Sequence, residues 1–269
     1  GKGSISAIVS TILTDAGYRT GLYTSPHLEH VNERIAIDGQ QLSDDDFIDI
    51  WDQTKDLVAL VDAKMEEQGK PKMSFFEVLT AMAIWKFADA PVDVAIVEVG
   101  MGGRWDATNV LDADAAIIGP IDMDHMAWLG NTVEQIASEK VGIIKPGCTA
   151  VIGRQPHEEA VMPIIEEAAA ENHANLVRDG IEAEVVTRIP AVGGQVVTLR
   201  TPNGTYAEVP VAKFGEHQAH NALAALCAAE VVIPVNGALD GDLVAEHGED
   251  SRPHRADSYI ANDHSGWRA

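Results

Sequence analysis

The chain has 269 residues, 46% of them hydrophobic, with 42 acidic against 19 basic side chains and a formal charge of −23. That length suits one large α/β domain or two smaller ones, and the charge excludes a nucleic-acid partner, which needs a basic face for phosphate backbones. No apolar run reaches the roughly 18 residues of a membrane span, and the opening residues have neither the basic nor the apolar region of a signal peptide.

Gly1-Lys2-Gly3-Ser4 leads into Ile5, Ile8, Val9, Ile12, Leu13 and Ala16 at helical spacing, with Gly17 as the stop. Glycines and a lysine opening onto a helix are the end of a phosphate loop. Backbone N–H groups and the helix N-terminus cradle phosphate, and Lys2 adds a point charge. Only half of the usual spelling, glycine, four residues, then Gly-Lys-Ser/Thr, is present, and Gly3 separates Lys2 from Ser4. A plain solvated N-terminus is the alternative.

Thr20 to Thr24 reads as a strand with Ser25-Pro26-His27 at its carboxyl end, followed by Asn32-Glu33-Arg34-Ile35 in a loop. Ser43 with Asp46 caps a charged helix from Asp44 to about Gln68, and Ser74 with Glu77 makes a capping box for an apolar helix through about Ala88. Val92 to Val99 is a near-continuous apolar run, the pattern of a parallel strand buried on both faces. Glu98 closes it, and Gly100, Gly102, Gly103, Arg104, Asp106, Thr108 and Asn109 follow. Ligands of open α/β sheets bind beyond such carboxyl ends, and glycines let backbone approach them. A buried strand with a polar exit is the plainer reading of the same residues.

Ala115 to Gly119 is another apolar run, again with a polar exit through Asp122, Asp124 and His125. Thr132 and Gln135 cap a helix carrying Glu139 and Lys140, Thr149 to Gly153 is a short strand, and Glu158 to Ala170 is an acidic helix. This alternation predicts a mostly parallel sheet with helices on both faces. Residues 181–211 change to short β-runs with a hairpin turn at Pro202-Asn203-Gly204, and a helix carrying Gln218 and Asn221 follows. Two cysteines, Cys148 and Cys227, make no disulfide framework and point to a reducing cytosol.

The ordered set Gly-Lys-Gly-Ser, Thr-Ser-Pro-His, Asn-Glu-Arg-Ile, Glu-Val-Gly-x-Gly-Gly-Arg-x-Asp-Ala-Thr-Asn, Asp-His, Glu-Lys-x-Gly-Ile-Ile-Lys and Gly-x-His-Gln-x-x-Asn resembles one family. It is the folylpolyglutamate synthase/dihydrofolate synthase family of the Mur ligase superfamily, and the resemblance runs from Gly1 to about Gly241. It implies a P-loop-type α/β domain over residues 1–241, lacking the first strand and half of the phosphate loop. It also implies ATP-dependent joining of L-glutamate to the carboxylate of folate or dihydropteroate through an acyl phosphate, by a cytoplasmic monomer without membrane or nucleic-acid partners.

By the same resemblance Gly1, Lys2, Gly3 and Ser4 would hold the nucleotide phosphates. Ser4, Ser25 and Glu98 would bind the Mg²⁺ on them. Glu98, His125 and a carbamylated Lys140 would surround a second metal, and Gln218 and Asn221 would contact the base or ribose. His27, Arg34 and Phe76 lie in motifs near the family's folate pocket. Lys2, Glu98, His125 and Lys140 are thus the expected catalytic set. A peptidoglycan-precursor ligase is the alternative within the superfamily, and a non-catalytic nucleotide-binding remnant is the alternative outside it.

The family's second α/β domain, with its Pro-Gly-Arg and Asp-x-Ala-His-Asn-Pro motifs, has no counterpart here. Residues 242–269 form a non-family tail, and Glu246 to Ser258 within it carry no apolar periodicity and no visible fold signal. Read one nucleotide later with permitted codons, Gly248 through Ala269 spells Ala-Lys-Thr-Pro-Gly-Arg-Ile-Glu and then Ile-Ile-Val-Asp-Gly-Ala, in the family's order. A frameshifted tail from roughly Gly248 is therefore expected, and with it poor ligation by this chain alone.

Overall fold

Val94–Glu98 forms a strand buried along its whole length because alternate residues enter different cores. Val94 and Ile96 join a cluster with Ile5, Val9 and Leu13, whereas Ala95 and Val97 join one with Leu79, Met82 and Ala83. Both faces are apolar, so the sequence runs apolar without alternation. The computed structural model of the chain describes residues 1–123, 130–233 and 258–263.

In chain order the elements are α1 (Lys2–Asp15), β1 (Thr20–Tyr23), β2 (Ile35–Ile37), β3 (Gln40–Gln41), α2 (Asp44–Glu67), α3 (Phe75–Asp89), β4 (Val94–Glu98) and β5 (Ala115–Ile118). There follow α4 (Val133–Lys140), β6 (Thr149–Ile152), α5 (Glu158–Glu171), β7 (Asn175–Arg178), β8 (Glu184–Ala191), β9 (Gly194–Thr201), β10 (Gly204–Val211), α6 (Glu216–Val232) and β11 (Ser258–Asp263). The main sheet has eight strands in the order β3-β2-β1-β4-β11-β5-β6-β7. All its pairings are parallel except the β1–β2 and β2–β3 hairpins.

One face of the sheet is covered by α1 and α6, whose Ala219, Leu223, Ala225 and Ala228 pack on Ala115, Ile117 and Val151. On the other face α3 and α2 cover β1 and β4, while Ile136 of α4 and Val161 and Ile165 of α5 cover β5 and β6. β8, β9 and β10 form a separate antiparallel sheet that adds Val197, Leu199 and Val211 to the core around α6. The expected α/β class, mostly parallel sheet and small antiparallel section near residues 181–211 are all present.

Helix starts follow their caps. Ser43 accepts the Asp46 N–H, Ser74 and Glu77 form a reciprocal box, and Thr132 accepts the Gln135 N–H. Three stretches lie outside expectation. Asn32 to Ile35 is a 3-10 turn running into β2, where Glu33 and His30 close the turn with their own capping box. β7 is an edge strand with no fully buried residue. β11, for which the sequence offered no expectation, lies at the centre of the sheet. No helix among the described residues is long and apolar enough to cross a membrane.

Candidate active site at the carboxyl edge of the sheet

β4 delivers Glu98 to the carboxyl edge with only 3% of it exposed. A buried carboxylate is costly unless it is partnered. The Ser25 N–H, at the exit of β1, donates to Glu98 Oε2 at 3.3 Å. A Cβ added to Gly3 would stand 3.6 Å from that same oxygen, which places the carboxylate against the first turn of α1. Lys2 Nζ donates to the carbonyl oxygens of Val99 at 2.7 Å and Gly100 at 3.0 Å. The exits of β1 and β4 and the start of α1 therefore meet at one point.

The charge there is mixed. The amine of Gly1 is held below its usual range, first by burial and then by the positive charge of Lys213, while Glu98 acts in the opposite direction. Lys213, from the loop between β10 and α6, is a cation at this edge that no sequence motif marked. The helix end at Gly1 has no side-chain cap, so its first-turn N–H groups present the positive end of α1. Phosphate suits such a place.

The glycine turn after Glu98 is built by close packing within the protein. A Cβ on Gly100 would stand 2.6 Å from the Phe76 ring, and one on Gly103 2.7 Å from the carbonyl oxygen of Glu139. Gly142 is the reciprocal case, with Arg104 Cα 2.6 Å from its missing Cβ, and the Arg104 N–H donates to Glu139 O at 2.9 Å. Asp106 closes the turn by accepting from the backbone N–H of Met101 (2.9 Å) and Thr108 (3.0 Å) and from the Thr108 hydroxyl (2.6 Å). Asn109 Nδ2 donates to Arg104 O, and Lys145 Nζ donates to Asn109 O. At Gly100 and Gly103 the space a side chain would need is filled by the Phe76 ring and the backbone at the end of α4.

Gln218 and Asn221 lie one turn apart at the start of α6, with Asn221 Nδ2 donating to Gln218 Oε1 at 3.2 Å. That end of the helix is fixed from two directions. Gln195 Nε2 donates to the carbonyls of Lys213 and Gly215, and His220 Nδ1 lies 2.5 Å from Asp179 Oδ2. Asp179 leaves β7 as Glu98 leaves β4, and its other oxygen lies 3.4 Å from Arg154 Nε at the exit of β6. Sequence reasoning missed both Asp179 and His220. The polar exit of a short strand was the available signal, but β7 itself was not recognised.

His27 and Arg34 come together, with Arg34 Nε donating to His27 Nδ1 at 2.9 Å, and the guanidinium lies over the Phe75 ring at 5.5 Å. Phe76 lies under the glycine turn beside Tyr23, whereas Phe75 is 61% exposed. Glu33 clamps the His27 loop through the N–H groups of Leu28, Glu29 and His30 at 2.7, 2.9 and 2.7 Å. These backbone donors lower its carboxyl from 4.5 to about 2. A depressed folded value means that the clamp is at full strength above the unfolded value and is lost as pH falls through the folded one. Amide exchange at residues 28–30 is therefore expected to stay slow at pH 5 and to quicken, relative to Glu33→Gln, between pH 4.5 and about 2. Equal acceleration in both proteins would dismiss the clamp.

Glu98, Ser4 and Ser25 are hard oxygen donors of the kind Mg²⁺ takes, so the residues at this point fit that ion. Among the described residues no group of three or more His, Cys, Asp and Glu could hold a metal. His125, the expected partner of Glu98 at a second metal, lies outside the described residues. Lys140 ends α4 and is 1% exposed, and its carbonyl oxygen abuts Gly103. A cavity of about 440 Å³ lined by Asp112, Asp114, Lys145, Cys148 and neighbours opens at the amino ends of β5 and β6, away from all of these groups.

Residues 49–229 match the family model described as the Mur ligase middle domain. The chain is 45% identical over 255 residues to dihydrofolate synthase/folylpolyglutamate synthase of Mycobacterium tuberculosis, covering 91% of this chain and 52% of that protein. It is 35% identical over 242 residues to the Escherichia coli protein of that name, covering 90% and 53%. A crystal structure of the Mycobacterium tuberculosis synthase complexed with ADP and AMPPCP superposes with a TM-score of 0.82 at 46% identity, covering 86% of this chain and 52% of that one. The folylpolyglutamate synthase of Thermotoga maritima gives 0.78 at 34% identity, covering 87% and 52%. The chain spans about half the length of the curated relatives it matches.

Proposed function

Since this chain belongs to the Mur ligase superfamily, within its folylpolyglutamate synthase/dihydrofolate synthase family, we propose that it serves ATP-dependent ligation of L-glutamate to the carboxylate of folate or dihydropteroate. Residues 1–241 are the nucleotide-binding domain of that reaction, which takes place in the cytosol. In the first step a carboxylate oxygen attacks the γ-phosphorus, the bond to the bridging oxygen breaks, and ADP leaves an acyl phosphate behind. In the second the glutamate amine adds to the acyl carbon, the bond to phosphate breaks, and the amine proton passes to solvent.

Such chemistry asks for placement and charge neutralisation more than for covalent participation. Lys2 and the first-turn N–H groups of α1, with Gly1, Gly3 and Ser4, hold the phosphates in line with the attacking oxygen. Ser4, Ser25 and Glu98 would hold Mg²⁺, which when bound supplies neutralisation of the charge on the transferring phosphoryl group. Gln218 and Asn221 orient the base or ribose. By the family resemblance Lys140, if carbamylated, would be a ligand with Glu98 and His125 to a second metal, the carbamate supplying an oxygen that an ammonium lacks. His27 and Arg34 present polar groups beside exposed Phe75 for a flat, carboxylate-bearing substrate.

The observation that carries this reading is the meeting of Lys2, Ser25 and Glu98 at the start of α1. A coupled assay of ADP release tests it. ADP should form only when ATP, L-glutamate and tetrahydrofolate or dihydropteroate are all present. Absence of both turnover and ATP binding rejects the reading. ATP binding without ADP release would instead select nucleotide binding without ligation.

A further inference from the structure

α6 begins without a cap. Its N-cap residue is Gly215, and no side chain accepts from its first-turn N–H groups, so that turn depends on contacts from elsewhere in the fold. Gln195, buried at the start of β9, donates to the carbonyl oxygens of Lys213 and Gly215 just before the helix. His220, in the second turn, has Nδ1 2.5 Å from Asp179 Oδ2 at the exit of β7.

The second contact is an unusual way to hold a helix. β7 is a short edge strand with no fully buried residue, yet the aspartate that follows it has a side chain only 6% exposed. A buried carboxylate costs stability unless charge and hydrogen bonds compensate it. Here the compensation is incomplete. Among the described residues Asp179 Oδ1 has no hydrogen-bond partner, and it lies 3.4 Å from Arg154 Nε. An apolar contact would join helix to strand at less cost. What the carboxylate adds is direction, because it fixes one ring nitrogen of His220 and with it the orientation of the imidazole.

Direction matters at this turn. At 3.6 residues per turn His220 points roughly 160° away from Gln218 around the helix axis. A tether on His220 therefore sets the rotation of the face that carries Gln218, to which Asn221 is bonded. Between β4 and β7 lie β11, β5 and β6, with strands about 4.8 Å apart. A nucleotide with its phosphates at the start of α1 and its base at the start of α6 runs across these exits towards Asp179. We propose that Asp179 is a positioning residue for the nucleotide base: acting through His220, it fixes the rotation of the first turns of α6 and so the placement of Gln218 and Asn221. Asp179 itself touches no ligand. This role rests on the nucleotide-binding reading of Lys2, Ser4, Gln218 and Asn221, and adds to it a residue that none of its motifs contains.

Binding of ATP and of inorganic tripolyphosphate to the full chain separates base from phosphate, since tripolyphosphate can engage Lys2 and the start of α1 but has no base to place. Asp179→Ala should weaken ATP binding by about tenfold or more, the scale of one hydrogen bond to a charged group, and leave tripolyphosphate binding unchanged. Asp179→Asn, whose amide oxygen still accepts from Nδ1, should restore most of the ATP affinity. His220→Ala should reproduce the selective loss. Asp179→Ala combined with His220→Ala should cost no more than either alone, because all three remove the same contact. Equal losses for both ligands in Asp179→Ala would make the residue a general structural support and overturn the proposal. Unaltered ATP binding, or losses that multiply in the double variant, would overturn it too. Should Asp179→Ala fail to fold, His220→Ala decides by the same comparison. A parent chain that binds neither ligand rejects the nucleotide reading, and the proposal falls with it; a parent that binds both, with no selective loss in the variants, rejects the proposal alone.

Discussion

Glu98→Gln is expected to weaken binding of Mg²⁺·ATP by about 100-fold or more, since even groups that only support a metal's ligands are worth 10–100-fold in affinity. Glutamine keeps the volume of the side chain and an oxygen that can still accept the Ser25 N–H. It removes the negative charge beside the start of α1, where Lys2 and Lys213 supply positive charge. The loss should therefore depend on the metal, with ATP alone binding the two proteins to similar extents. Calorimetric titration with and without Mg²⁺ separates the cases. A variant that binds Mg²⁺·ATP as tightly as the parent would remove Glu98 from the site.

The second large effect is on stability. Gly142→Ala and Gly103→Ala each push a methyl group into backbone, at 2.6 Å from Arg104 Cα and 2.7 Å from Glu139 O. Neither contact involves a flexible side-chain end, so both the glycine turn and α4 must shift. Overpacking of this kind costs about 1–3 kcal/mol, and each kcal/mol lowers the unfolding temperature of a domain this size by roughly 2–4 °C. Gly204→Ala is the control, since its Cβ would meet nothing within 4 Å. Thermal scans of the three variants should set both turn variants below the control, and equal midpoints would contradict the packing. The same contact explains why a glycine follows two residues after Lys140 in the Glu-Lys-x-Gly motif.

Long elements were readable in the sequence because each repeats one signal many times. β4 and β5 run apolar because both faces are buried, and α2 and α3 carry caps that the structure uses. β2, β3 and β7 are two to four residues long and carry at most two fully buried positions each, too few for a period to register. The place of β11 depends on strands more than a hundred residues away in sequence, which no local pattern encodes.

The site was legible in part. Lys2, Ser25 and Glu98 stand at element ends where a strand or helix signal stops, and the fold brings those ends together. Asp106, Thr108 and Asn109 lay in a motif whose function seemed chemical, yet their hydrogen bonds close the turn itself. Asp179, His220 and Lys213 escaped notice because their partners come from other strand exits and the antiparallel sheet, which no local spacing encodes.

The central claim is that nucleotide phosphate sits where β1, β4 and α1 meet. Hydrogen exchange of the full chain with and without a non-hydrolysable ATP analogue and Mg²⁺ tests it most directly. The expected result is slowed exchange at residues 1–5, 24–26 and 98–104, accompanied by residues 215–221 at the start of α6. Slowed exchange confined to the cavity around Asp112, Lys145 and Cys148 at the opposite edge, or none at all, would contradict it.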